Sequence, residues 1–194
     1  MVRPTAPPDE PAWAARRAAL EPLDRWQVDG RVAITTRDDN YSGSLSWIQT
    51  GAALEFRFSG PFGLGGLRIW GEPNALWVKT HQGETFSIAD PERDLAERLG
   101  WSVPVLSMRY WIVGIPAPGL PAEATVDRRG RASELVQQGW TMRYAEFEQV
   151  GELELPKRFT IERDGVRIKV VAERWRIGAP ASAAPDAFSD ELDL

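Results

Sequence analysis

Apolar and polar residues alternate with a period of two through most of this chain, and no other feature constrains its fold as tightly. Trp26, Val28, Gly30, Val32 and Ile34 share one face of an extended segment, with Gln27, Asp29, Arg31 and Thr35 filling most of the other positions. After the turn Arg37-Asp38-Asp39-Asn40, residues Tyr41, Gly43, Leu45 and Trp47 alternate with Ser42, Ser44 and Ser46. The pattern continues through Leu54, Phe56 and Phe58, Leu67 and Ile69, Leu76, Val78 and Thr80, and Phe86 and Ile88. It resumes at Ala122–Asp127, at Leu135–Gln138 and along Trp140, Met142 and Tyr144. Gly151 to Pro156 reads as loop, and Asp164-Gly165 as a hairpin turn between Phe159/Ile161 and Val166/Ile168/Val170. Short strands joined by polar turns at near-regular spacing describe an antiparallel meander with one buried face.

The period changes in three places. Asp9 as N-cap and Pro11 in the first turn open a short helix to Leu20, which Pro22 ends. Asp90 as N-cap, Pro91, Leu95, Leu99 and Gly100 describe a second. Val105 to Val113, between Pro104 and Gly114, is apolar on most sides; such a helix lies between layers or covers an apolar space. About eleven short strands interrupted once by a helix pair favour a mainly-β, single-domain fold: a half-open antiparallel barrel curled around that pair. A two-sheet sandwich is the alternative. The expected divisions are a flexible tether and short helix over 1–22, the barrel over 23–177 and a disordered tail over 178–194.

Composition narrows the function. A formal charge of −5 argues against nucleic acid, which needs a basic footprint. The absence of cysteine removes disulfides, thiolate nucleophiles and Cys-ligated metals. No apolar run approaches the roughly 18–20 residues of a membrane-spanning helix, and residues 1–9 lack the apolar core of a secretory signal. On that reading the chain is cytoplasmic, or a targeting segment has been replaced by Met1. The single histidine, His81, sits in a polar turn and reads as solvent-facing; no metal site, phosphate loop or nucleophile elbow is present. No cofactor and no catalytic residue is expected.

Ser59-Gly60-Pro61-Phe62-Gly63-Leu64-Gly65-Gly66 is an unusual connection, a glycine-rich turn whose two large side chains are Phe62 and Leu64. Either they tuck back into the core or they are aimed at something apolar outside the molecule. A related question attaches to Trp47, Phe56, Phe58, Trp140 and Tyr144, all on strand faces that point inward. They either fill the interior or, with the apolar helix, line a cavity for a greasy ligand.

An ordered set of short motifs bears on both questions. Trp26-x-Val28-x-Gly30-Arg31, Gly43-x-Leu45-x-Trp47, Gly60-Pro61-Phe62-Gly63, Leu99-Gly100-Trp101-x-Val103-Pro104 and Tyr110-Trp111-Ile112-x-Gly114 are followed by Gln138-Gly139-Trp140-x-Met142-x-Tyr144, Leu155-Pro156-x-Arg158 and Arg167-Ile168-Lys169 with Trp175. From about Leu23 to Ile177 the chain resembles the LolB family of outer-membrane lipoprotein receptors. The resemblance implies a half-open barrel with helices over a hydrophobic cavity. It implies a monomer that takes acylated lipoproteins from a LolA-type periplasmic carrier and releases them into the inner leaflet of the outer membrane, on its periplasmic face. It also implies that Phe62 projects into the membrane from the loop framed by Pro61 and Gly63, with Leu64 assisting. The acyl cavity would then be lined by Leu45, Trp47, Phe56, Phe58, Met108, Trp111, Ile112, Trp140, Met142 and Tyr144. The family is usually anchored through a lipidated N-terminal cysteine, which this sequence lacks. Competing readings are a periplasmic binding protein for another hydrophobic ligand, an envelope protein with a filled core and, more remotely, a hydrolase. The basic face of the last hairpin, Arg158, Arg167 and Lys169, is a candidate for donor contact or an ordinary solvated face.

Overall fold

A computed structural model describes residues 10–61, 65–99 and 104–178. The expected tether over 1–9, the tail beyond 178, the loop tip Phe62-Gly63-Leu64 and the stop at Gly100 lie outside the described residues. The elements run α1 (Glu10–Leu20), β1 (Arg25–Thr35), β2 (Asn40–Thr50), β3 (Ala53–Ser59), β4 (Gly66–Glu72), β5 (Ala75–Thr80), β6 (Thr85–Ile88), α2 (Pro91–Leu99) and α3 (Val105–Trp111). They finish with β7 (Ala122–Val126), β8 (Ala132–Gln137), β9 (Trp140–Val150), β10 (Leu153–Arg163) and β11 (Val166–Ile177).

All eleven strands belong to one antiparallel sheet in the order β6-β5-β4-β3-β2-β1-β11-β10-β9-β8-β7. A single sheet sets aside the two-sheet sandwich. The first and last strands pair at its centre, and β6 and β7 remain as open edges joined through α2 and α3. Hydrophobic alternation sets the register: Trp26, Val28, Gly30, Val32 and Ile34 are buried while their neighbours stay at least partly exposed. A one-residue slip would turn that whole set to water. At Gly30 the β1–β11 register shifts, and a side chain there would run into the Val171 carbonyl, so only glycine fits the crossing.

Two local expectations are corrected. Pro156 is not in a loop but inside β10, at a register irregularity between Pro156 and Arg158, one of the few places where a sheet tolerates proline. Its carbonyl accepts the indole N–H of Trp175 at 3.1 Å. The third helix stops at Trp111 rather than Val113, where Gly114, at φ 86°, turns the chain back. The Asp164-Gly165 turn has φ of 50° and 85°, and Gln138-Gly139 of 53° and 74°; both pairs have the doubly positive φ that a tight hairpin turn requires.

The helices are seated by specific contacts. The Asp90 carboxylate accepts the Arg93 N–H at 3.2 Å, the expected N-cap of α2. At the opposite end of the barrel α1 packs Trp13 and Leu20 against the core and lies on Gly130 of the β7–β8 turn. Arg16 on α1 donates to the Glu154 carbonyl at 2.6 Å and stacks over the Phe147 ring at 5.1 Å. Trp26 fills this end, its ring 5.6 Å from Trp175 and 5.9 Å from Trp47.

Candidate functional site

The other end of the barrel is hollow. A cavity of about 440 Å³ lies beneath β1 to β6, closed on its far side by Phe159, Ile168 and Val170 of β10 and β11. Leu45, Trp47, Phe56, Phe58, Met108 and Ile112 all line it, together with Val32, Ile34, Leu67, Ile69, Phe86 and Val105. Trp47 presents hydrocarbon rather than a polar edge, because its N–H is spent on the buried Gln49 side chain at 3.2 Å. Gln49 is in turn satisfied, its amide donating to the Gly51 and Ala53 carbonyls at 2.9 and 3.0 Å.

Four of the residues that the sequence groups with the cavity stand elsewhere. Trp111, Trp140, Met142 and Tyr144 are buried but absent from the lining; they fill the space between α3 and strands β8 to β10. The Trp111 and Trp140 rings are 6.4 Å apart, and Tyr144 packs on Phe159 at 5.8 Å. The cause is the position of α3, which divides the interior. One stripe of the helix, Val105 and Met108, borders the hollow side together with Ile112 at its C-cap. The neighbouring stripe, Ser107 and Trp111, is held to β8 and the turn after it by hydrogen bonds: Ser107 donates to the Gln138 side chain at 2.6 Å and Trp111 to that of Gln137 at 2.8 Å. The Tyr144 hydroxyl donates to the Trp111 carbonyl at 2.7 Å. Burial pushes the Tyr144 phenol well above its usual range, so it stays a neutral donor. Gln137, itself buried, also accepts the Ala117 N–H and donates to the Ala117 and Leu120 carbonyls, which fixes the segment after the helix. The cavity floor is thus bonded from behind and apolar in front.

Three hairpin connections surround the mouth, and the lining there includes Tyr41 near the start of β2, Gly65 with Gly66 at the start of β4, and His81, Gln82 and Glu84 between β5 and β6. The glycine-rich loop is pinched at its base, where the Gly60 N–H donates to the Gly65 carbonyl at 2.8 Å. Pro61 is exposed just beyond. The tip residues Phe62, Gly63 and Leu64 are outside the described residues, but the stem they spring from borders the opening directly. Sequence reasoning missed the rim: His81, Gln82 and Glu84 carry only the polar signature that any solvated turn has, and Tyr41 alternates like the inward residues of its strand without marking an opening. It also missed Ile168 and Val170, whose alternation matches that of any filled core strand. Of the basic hairpin residues, Arg158 is paired with Glu146 at 3.4 Å and Arg167 with Glu162 at 2.6 Å.

Chemically the site offers hydrocarbon and aromatic walls and a partly polar rim. Among the described residues no group of three or more His, Cys, Asp or Glu is placed to hold a metal ion, and no helix is long and apolar enough to cross a membrane. A curled antiparallel sheet with a helix-floored apolar hollow is a fold that a solved structure shares. The chain superposes on a solved LolA superfamily protein from Nitrosomonas europaea with a TM-score of 0.56, covering 91% of this chain and 96% of that one; at 13% identity the likeness speaks for the fold alone. The sequence profile described as "Outer membrane lipoprotein LolB" matches residues 24–175. An outer-membrane lipoprotein LolB of Nitrosococcus oceani is 33% identical over 176 residues, which are 90% of this chain and 87% of that one. One of Pseudomonas fluorescens is 32% identical over 164 residues, 84% and 80% of the two chains. The chain belongs to the outer membrane lipoprotein LolB family.

Proposed function

We propose that this protein accepts lipid-modified lipoproteins from a LolA-type carrier on the periplasmic side, holds their acyl chains in the cavity beneath β1 to β6, and releases them into the inner leaflet of the outer membrane beside the β3–β4 loop. No covalent bond is made or broken. The observation that carries this reading is that the apolar cavity opens at the stem of a loop whose sequence is Pro61-Phe62-Gly63-Leu64. The volume of about 440 Å³ falls within the roughly 300–1,000 Å³ of sites that enclose small ligands.

The energetics call for such contiguity. Exposing hydrocarbon to water costs about 0.8 kcal/mol per CH₂, so an acyl chain of roughly sixteen carbons released into solvent would cost on the order of 12 kcal/mol. A transfer protein avoids that cost only if the chain leaves one apolar surface while already touching the next. A single Phe62 side chain entering lipid gains only about 1.5–3 kcal/mol. That is too little to anchor the protein and enough to hold the mouth against the bilayer during hand-off. Phe62→Glu should therefore keep the fold and the uptake of acylated cargo while blocking its delivery to liposomes. Normal delivery by that variant would refute the role given to the loop.

A further inference from the structure

The convex face of the sheet next to this loop carries a pattern that a cargo pocket does not explain. On β3, β4 and β5 the outward residues form two rows across the strands. In the row nearer the loop, Arg57 stands opposite Arg68, and Arg68 opposite Lys79. In the next row Glu55 stands opposite Trp70, and Trp70 opposite Trp77. Like charges placed directly opposite one another destabilise a sheet. Here Glu55 is shared by two guanidinium groups, from Arg57 at 2.6 Å and Arg68 at 2.9 Å. The row runs against the charge of the chain, which is −5 overall. Trp77 is 45% exposed, and the Arg68 guanidinium lies over the Trp70 ring at 4.8 Å.

We infer that this face is a docking surface for anionic phospholipid headgroups, which sets the tilt at which the cavity mouth meets the bilayer. The inference rests on the reading that the β3–β4 loop touches a membrane. Cations supply attraction to an anionic surface, and indole rings are the side chains that favour the headgroup region. Arg57 is two residues from the end of β3, roughly 7 Å along the strand. The loop stem, the basic row and the tryptophan row therefore follow one another down the same three strands. An acidic protein would also suit the cations, but continuity with the loop and the exposed indole favour lipid.

The test is co-sedimentation of the protein with vesicles of phosphatidylcholine alone and of an equimolar mixture of phosphatidylcholine and phosphatidylglycerol. Binding should be stronger to the anionic vesicles and should fall as salt is raised. Lys79→Gln and Arg68→Gln should each weaken that binding roughly fivefold and leave binding to neutral vesicles unchanged. Trp77→Gln should weaken both. Uptake of a fluorescent fatty-acyl probe, read in parallel, should be unaltered in all three, which certifies the fold. Equal binding to both vesicles, or no effect of the Lys79 and Arg68 variants, would overturn the inference. So would variants that bind vesicles normally but no longer take cargo from the donor carrier, which would assign the face to a protein. Failure of the loop reading is separable, because it appears as cargo delivery insensitive to Phe62→Glu whatever the vesicle charge.

Discussion

Replacing Gln137 by Leu tests the division of the interior most sharply. The side chain is buried at 2% exposure and makes four hydrogen bonds: it accepts from the Trp111 indole and the Ala117 N–H, both at 2.8 Å, and donates to the Ala117 and Leu120 carbonyls at 2.8 and 3.2 Å. Leucine fills much the same volume and serves none of the four. Two buried donors left without acceptors cost about 1–3 kcal/mol each. The two carbonyls add less, since under-satisfied carbonyl oxygens are better tolerated than orphaned N–H groups. The donors alone amount to a loss of about 2–6 kcal/mol, a large share of the 5–15 kcal/mol that holds a typical domain together. Urea unfolding followed by tryptophan fluorescence should show a lower midpoint with an unchanged slope. Gln137→Glu keeps the shape but, as a carboxylate, cannot donate. Its deficit should shrink as the pH falls and protonation restores a donor. A loss below about 1 kcal/mol in the leucine variant would mean that α3 is not held by this residue, and the account of a bonded floor would fail.

Phe56 lines the cavity and Trp140 does not, so aspartate at the two positions should act differently. Phe56→Asp should weaken binding of a fatty-acyl probe more than it weakens the fold, whereas Trp140→Asp should show first as a lowered unfolding midpoint; equal binding defects in equally stable proteins would contradict this. Burial alone would raise the Asp127 carboxyl, but hydrogen bonds from the Arg131 side chain and the Arg131 and Arg129 N–H groups outweigh it and hold the folded value low. A lowered folded value contributes stability above the unfolded value of about 3.9 and loses it below. The stability gap between the protein and Asp127→Asn should therefore be constant near neutrality and narrow below about pH 4, as read by denaturant melts across that range.

The sheet was legible in the sequence because burial on one face writes itself as alternation. Trp26 through Ile34 and Trp140 through Tyr144 sit where period two places them. The turn at Asp164-Gly165 and the cap at Asp90 were legible for local reasons, one of backbone sterics and one of an unsatisfied N–H. What alternation does not encode is what the inward side chain meets. Phe58 lines the cavity and Met142 is buried outside it, yet both alternate with polar neighbours in the same way. The difference depends on α3 being tied to β8, the β8–β9 turn and β9 through Gln137, Gln138 and Tyr144, contacts between residues 26 to 33 positions apart that no local pattern announces. Pro156 was misplaced for a related reason. Proline ordinarily interrupts a strand, and only the irregular pairing with β9 makes room for it.

Acyl chains should occupy the hollow under β1 to β6 and no other part of the interior. A photoreactive fatty-acyl probe, bound to the protein, cross-linked by light and mapped by mass spectrometry, tests it directly. Labels are predicted on Leu45, Phe56, Phe58, Met108 and Ile112, with none on Trp140 or Met142. Labelling concentrated on the Trp140 side of α3, or spread evenly over the outer surface, would contradict it.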